Sequence, residues 1–226
     1  MASLNSNSKQ TKVLIGTPAY GGMCCTAYTE ALLYTTMYLS QKNINFNVKF
    51  INNQIVTRAR NMICSIFMDD ESYTHLLFID ADIKWSPEHV IMLLEHDLEC
   101  VIGVYPNKQY YKIKDDIKLN PSSQFASPQI ENNNLVKINK AATGFMLLKK
   151  SALIKIQKDV ETFILPNSEG KDIELYNYFD CMVVDKNYLT EDYYFSHLFN
   201  KNGGEIWADK RIVLGHIGSH TYGELI

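Results

Sequence analysis

His75-Leu76-Leu77-Phe78-Ile79-Asp80-Ala81-Asp82 is the stretch on which the rest of the chain turns. Its first five residues have the unbroken apolar character of a strand buried on both faces, as in a parallel sheet. The run then becomes acidic. In open parallel sheets, ligands bind beyond the C-terminal ends of the strands, which is where Asp80 and Asp82 stand. In an extended segment, residues two apart point to the same side. Two carboxylates so placed repel each other, and a hard divalent cation that prefers oxygen ligands relieves the repulsion. The plainer reading makes Asp80 a strand-end cap and Asp82 a solvated side chain.

On the N-terminal side, Val13–Ile15 reads as a short buried strand ending at Gly16-Thr17-Pro18, and Tyr20, Gly21 and Gly22 form a loop. Apolar residues near helical spacing predict a helix over Thr26–Gln41 and a second over Gln54–Met68, with an alternating strand, Phe46–Ile51, between them. On the other side, Ser86 and Pro87 open a third helix that reaches about His96. Cys100–Tyr105 is a further buried strand. The first 105 residues thus read β-α-β-α-β-α-β, the pattern of a parallel sheet with helices on both faces.

The second half reads differently. Pro106–Asn134 is polar with little periodicity and reads as one long loop, of a length that is usually functional. Strands are expected at Leu135–Ile138, Gly144–Leu148, Phe179–Val184, Ile206–Ala208 and Ile212–Leu214, and helices at Ser151–Gln157 and Glu191–Phe199. Another polar loop lies around Pro166–Asp172. We expect a polar, disordered lead-in over residues 1–11 and a single α/β domain over 12–226. Its central sheet is mostly parallel and flanked by helices, with a mixed second half.

Composition narrows the class. The 226 residues are 46% hydrophobic and 21% charged, enough to build a core without disulfide or metal staples. Twenty-two basic against 25 acidic residues leave a net charge of -3, with none of the basic surplus of a nucleic-acid-binding domain. Apolar stretches are too short for a membrane span, and the N-terminus has no apolar signal region. Five cysteines without a CxxC pair read as free thiols in a reducing cytoplasm, with Cys64, Cys100 and Cys181 as small buried side chains.

Other chemistry-bearing residues fall near the ends. A histidine beside two carboxylates makes a mixed nitrogen–oxygen site suited to Mn²⁺. His216 and His220 are the candidates, in a Gly-rich terminal segment, against a surface reading for each. Glu191-Asp192 opens a helix behind Thr190. There the macrodipole accounts for acidic residues, and a carboxylate base is the functional alternative. Arg58 and Arg60 are two apart on the second helix and do not share a face. The Thr17–Gly22 loop follows the first strand, where nucleotides often dock. It lacks GxGxxG and a Walker lysine, which disfavours dinucleotide folds and phosphate-loop NTPases.

Seven segments in order resemble glycosyltransferases of the GT-A fold, especially the small stand-alone domains of bacteriophages and large DNA viruses. They are Gly16–Gly22 (GTPAYGG), Thr57–Asn61 (TRARN), Leu76–His89 (LLFIDADIKWSPEH), Gly103–Lys108 (GVYPNK), Ala141–Leu153 (AATGFMLLKKSAL), Thr190–Phe195 (TEDYYF) and Leu214–Gly223 (LGHIGSHTYG). Each is weak alone, and the ordered set spans residues 13 to 224. The resemblance implies that Asp80 and Asp82 form an Asp-x-Asp motif holding Mn²⁺ or Mg²⁺ on the diphosphate of a nucleotide sugar, with a UDP-sugar favoured.

It also implies that Thr17, Pro18, Ala19 and Tyr20 hold the nucleoside, with Ala81 beside them. Arg60 and Asn61 would contact base, ribose or phosphate, and Ala142, Thr143 and Gly144 would form the turn beside the donor sugar and acceptor. Asp192, or Glu191, would be the base of an inverting reaction, and His216 or His220 the late metal ligand. The implied partners are a nucleotide-sugar donor and a glycan or other hydroxyl acceptor, with no nucleic acid and no integral membrane segment. The implied place is the cytoplasm, that of a host if the source is viral. Residues 12–105 would be the nucleotide-binding half, and 106–226 would complete the acceptor and metal sites, with Pro106–Asn134 as acceptor wall or lid. Two alternatives are a non-catalytic nucleotide-sugar or glycan-binding domain and a sugar-nucleotide pyrophosphorylase. The second needs a basic phosphate loop, which GTPAYGGMCCT lacks.

Overall fold

The computed structural model describes residues 10–113, 116–166, 170–218 and 221–222. The expected lead-in therefore lies almost wholly outside the described residues. The first half alternates as expected: β1 (Lys12–Pro18), α1 (Thr26–Gln41), β2 (Asn45–Ile51), α2 (Val56–Asp69), β3 (His75–Ile79), β4 (Ile83–Lys84), α3 (Pro87–Glu95) and β5 (Cys100–Ile102). The second half contributes β6 (Pro106–Ile113), β7 (Asp116–Pro121), β8 (Gln124–Phe125), β9 (Glu131–Asn132), β10 (Leu135–Lys140), β11 (Phe145–Lys149) and α4 (Lys150–Ile156). It continues with β12 (Thr162–Pro166), β13 (Asp172–Tyr176), β14 (Met182–Val184), β15 (Asn187–Leu189), α5 (Glu191–Lys201), β16 (Ile206–Asp209), β17 (Gly215–Ile217) and β18 (Thr221–Tyr222).

One mixed sheet runs β2-β1-β3-β11-β5-β16-β10-β8, with β9 also on β10. β1 pairs parallel with β2 and β3, and β5 pairs parallel with β16. β11 enters antiparallel between β3 and β5. The two strands that local pattern reads as neighbours are therefore parted by a segment from the other half of the chain. All five residues of β3 are buried, and alternate ones serve opposite faces. Leu76 and Phe78 join Ile63 and Phe67 of α2, Leu153 of α4 and Phe199 of α5. Leu77 and Ile79 join Tyr28 and Leu39 of α1 and Val90 and Leu93 of α3.

Several expectations change. The segment Pro106–Asn134 is not a structureless loop. It carries the β6–β7 hairpin, and β8 and β9 extend the main sheet at β10. Gln124, Phe125, Glu131 and Asn132 are exposed, so these strands bury no alternating face and leave no period in the sequence. β12 and β13 form a second hairpin around the expected polar loop. The strand expected over Phe179–Val184 shrinks to β14, because Phe179 stacks on Phe195 in the core instead. Ile212–Leu214 buries two side chains without joining a ladder. All five cysteines are free, and Cys181 is half-buried rather than buried.

Ile212 and Leu214 close over Gly103, where an added Cβ would meet Ile212 Cγ2 at 2.7 Å and Leu214 Cδ1 at 2.8 Å. Gly103→Ala is expected to cost about 1–3 kcal/mol by overpacking. Melting curves should fall by about 2–4 °C per kcal/mol; an unchanged melting temperature would show that this contact yields freely.

Candidate active site

β3 delivers Asp80 to the C-terminal edge of the sheet, and the chain turns at once. The Ile83 amide donates to the Asp80 carbonyl at 3.1 Å. Asp80 and Asp82 are thus joined by a turn rather than an extended segment, so the same-side argument does not apply. The Asp80 carboxylate faces Arg60, whose Nη2 donates at 2.9 and 3.2 Å. Asp82 faces Lys108 and His216. His216 arrives by a separate route: β17 pairs with β4, placing His216 opposite Ile83, and the Ile217 amide donates to the Asp82 carbonyl at 2.8 Å.

Arg60 is 3% exposed and also reaches Glu191 Oε1 at 3.5 Å. Burial opposes its charge, yet Asp80 and Glu191 outweigh burial and hold it protonated. Arg60 therefore does not project into open space, as a nucleotide contact would. It ties the end of β3 to the start of α5. Its Nη1 is buried without a partner among the described residues. Asn61 is likewise spent on structure, bridging Asn177 Oδ1 (2.8 Å), the Phe179 carbonyl (3.0 Å) and the Phe179 amide (2.9 Å). Its expected role as a ligand contact is corrected on that ground.

Asp192 sits in the first turn of α5, where its carboxylate accepts from Thr190 Oγ1 and from the Tyr193 amide. Burial, then the neighbouring charge of Glu191, pushes this carboxyl up to about 6. The Ala141–Gly144 turn packs beside it. The Ala141 amide donates to Ser196 Oγ at 2.9 Å, the Ala142 amide to Ser123 Oγ at 3.0 Å and the Gly144 amide to the Tyr105 hydroxyl at 3.1 Å. The Gly144 carbonyl accepts from the Asp80 amide. A Cβ on Gly144 would lie 2.5 Å from the Tyr105 hydroxyl oxygen, so the turn admits only glycine at this approach.

A cleft of about 480 Å³ opens over Asp80, Ala81 and Asp82, lined also by Pro18, Tyr20, Asn53 and Gln54. Of the residues expected to hold a nucleoside, Pro18 and Tyr20 face it. Thr17 is fully buried with its hydroxyl on Tyr28, and Ala19 is buried too. Their backbone shapes the loop while their side chains point away. Cys24 and Cys25 also line the cleft, and the Cys25 thiol caps α1 by accepting from the Tyr28 amide at 3.3 Å.

Of the expected metal ligands, Asp80, Asp82 and one of His216 and His220, the described residues do not bring three together. Asp80 is turned to Arg60, His220 lies outside the described residues, and no three described His, Cys, Asp or Glu side chains converge as a metal group. Two donors do converge. His216 Nδ1 lies 2.9 Å from the Pro106 carbonyl, so Nδ1 carries a hydrogen and Nε2 is the nitrogen left to meet a cation. That nitrogen faces Asp82 Oδ2 at 3.6 Å. An oxygen and a nitrogen lone pair set face to face fit a cation between them. Burial works to raise the Asp82 carboxyl, and the contacts with His216 and Lys108 overcome it and hold the group low.

Reading of single residues missed Tyr105, Lys108, Asn53 and Gln54. The first two lie in GVYPNK, a matched segment to which no role was attached.

No protein-family model matches the chain, and no curated protein matches it. Solved structures do. A197 from STIV is 17% identical, with 92% of this chain and 86% of that one covered at a TM-score of 0.50. GalNAc-T7, solved with UDP, GalNAc and Mn²⁺, is 10% identical, with 92% of this chain and 43% of that one covered at a TM-score of 0.52. At such identities the likeness establishes the fold: this is a GT-A-like, glycosyltransferase-type α/β fold with a mixed central sheet flanked by helices. No helix of the described residues is long and apolar enough to cross a membrane.

Arg60→Ala strands two carboxylates in a buried cluster, and breaking a buried pair in this way costs about 3–5 kcal/mol. The loss in melting temperature should be larger at pH 7.5 than at pH 5, because protonation relieves the unpaired carboxylates as pH falls. An equal loss at both values would mean that the guanidinium acts through packing alone.

Proposed function

We propose that this chain is a metal-dependent glycosyltransferase that moves a sugar from a nucleotide-diphosphate sugar, with UDP as the first nucleotide to test, to an acceptor hydroxyl with inversion. The carrying observation is that Asp82, in the lining of the cleft beyond β3, turns its Oδ2 to His216 Nε2 at 3.6 Å. The GT-A-like fold supports it, since GalNAc-T7 shares that fold and was solved with UDP, GalNAc and Mn²⁺. Residues 12–105 serve as the nucleotide-binding half, and 106–226 complete the acceptor and metal sites.

Pro18, Tyr20, Asn53 and Gln54 receive the nucleoside, with the diphosphate over Ala81 and Asp82. Asp82 and His216 would hold a divalent cation, which supplies Lewis-acid neutralisation of the leaving diphosphate, a contribution of several kcal/mol. Arg60 holds Asp80 and Glu191 in place while staying charged. Asp192 accepts the proton of the acceptor hydroxyl. The hydroxyl oxygen bonds to the anomeric carbon as the bond from that carbon to the diphosphate oxygen breaks on the opposite face. A carboxyl raised to about 6 is mostly ionised at pH 7 yet more basic than an exposed one, which suits a general base.

The transfer rate should rise with pH through about 6 and level off above it. Asp192→Asn should keep UDP affinity and lose transfer; full activity in that variant would remove Asp192 as base. Its stability has the opposite sign from that of a salt-bridged carboxylate. The folded state holds the Asp192 proton more tightly than the unfolded chain, so ionisation costs stability as pH rises from about 4 through 6. Asp192→Asn should therefore melt no lower than the unsubstituted chain at pH 7.5. Calorimetry of UDP should show binding that needs Mn²⁺, a dependence lost in Asp82→Ala; metal-independent binding would count against the bridging site.

A further inference from the structure

Lys108 has no part in the chemistry above. Its Nζ lies against Asp82 Oδ2, the same oxygen that His216 Nε2 faces. The ammonium therefore stands at the place of positive charge beside the candidate cation donors. β6 supplies both parts of this arrangement, since Pro106, two residues before Lys108, aims the imidazole through its carbonyl. Both partners stay open to solvent, with side chains 36% and 37% exposed, so the lysine is free to leave.

Charge explains what the lysine does there. Asp80, Asp82, Glu191 and Asp192 are four negative groups, against the two positive charges of Arg60 and Lys108. A divalent cation between Asp82 and His216 would balance the remainder, and it would also put like charge next to the ammonium. Lysine is a compact point charge on a flexible stem and a common phosphate binder. A diphosphate arriving at the same place offers it a new partner within its own reach.

We propose that Lys108 is a diphosphate-binding residue that alternates between two partners. Without donor it neutralises Asp82 and competes with the divalent cation; with donor it moves onto the diphosphate. Cation alone then binds weakly, and cation and nucleotide bind cooperatively. The inference rests on the metal-dependent reading above, and the experiment separates the two.

Mn²⁺ binding without nucleotide is read from the electron paramagnetic resonance of free Mn²⁺, and UDP binding at saturating Mn²⁺ from calorimetry. Coupling between sites is typically about 5–150-fold. Lys108→Met should bind Mn²⁺ about tenfold more tightly than the unsubstituted chain and UDP about tenfold more weakly, with Lys108→Arg near the unsubstituted values in both. Unchanged or weaker Mn²⁺ binding in Lys108→Met, or unchanged UDP binding, overturns the proposal. Asp82→Asn tells the failures apart. If it abolishes Mn²⁺ binding while Lys108→Met changes nothing, the exchange fails and the metal site stands. If all variants bind Mn²⁺ alike, the metal reading fails and takes the exchange with it.

Discussion

The guanidinium of Arg60 is the constraint on which the rest of the structure depends. It is almost wholly buried, so its charge is tolerable only with carboxylates beside it. Asp80 comes from the end of β3 and Glu191 from the start of α5, elements more than a hundred residues apart. Meeting the demands of one buried cation therefore docks the second half of the chain against the first. It also places Asp192, the next residue along, in the same low-dielectric pocket. There burial and the charge of Glu191 raise its carboxyl to about 6.

A second linkage approaches from the other side. The small sheet β18-β17-β4 returns the end of the chain to the acidic turn after β3, and the β6–β7 hairpin leans on it. Tyr105 sits between these groups. Its hydroxyl accepts from the Gly144 amide, and its ring meets the His216 ring edge-on at 5.0 Å. Burial, then the charge of Asp80, keeps this phenol protonated, so it adds no charge to a crowded acidic region. The residues of the candidate site are thus held by backbone pairing and buried polar bonds.

Much of this was legible in the residues. His75–Ile79 declared a strand buried on both sides, and α1 falls on the expected Thr26–Gln41. Glu191 and Asp192 do open a helix behind Thr190. Illegible were the features with no local period. β8 and β9 bury no face, and β11 is an unbroken apolar run over Phe145–Leu148, so its pattern says nothing of its direction or neighbours. The resemblance carried by TRARN makes Arg60 and Asn61 ligand contacts, and no local pattern shows that both side chains are buried. Their partners, Glu191 and Phe179, lie well over a hundred residues away.

The sequence by itself determined the alternation of strand and helix, the acidic residues that follow β3 and the stock of carboxylates, histidines and cations, because hydrophobic period and residue type are local properties. Only the tertiary structure decided that β11 separates β3 from β5, that Asp80 answers to Arg60 while Asp82 answers to Lys108 and His216, and that Asp192 is raised. Each of these depends on which distant groups share a buried volume, and the strength of a charge interaction is set by that volume and not by the order of residues along the chain.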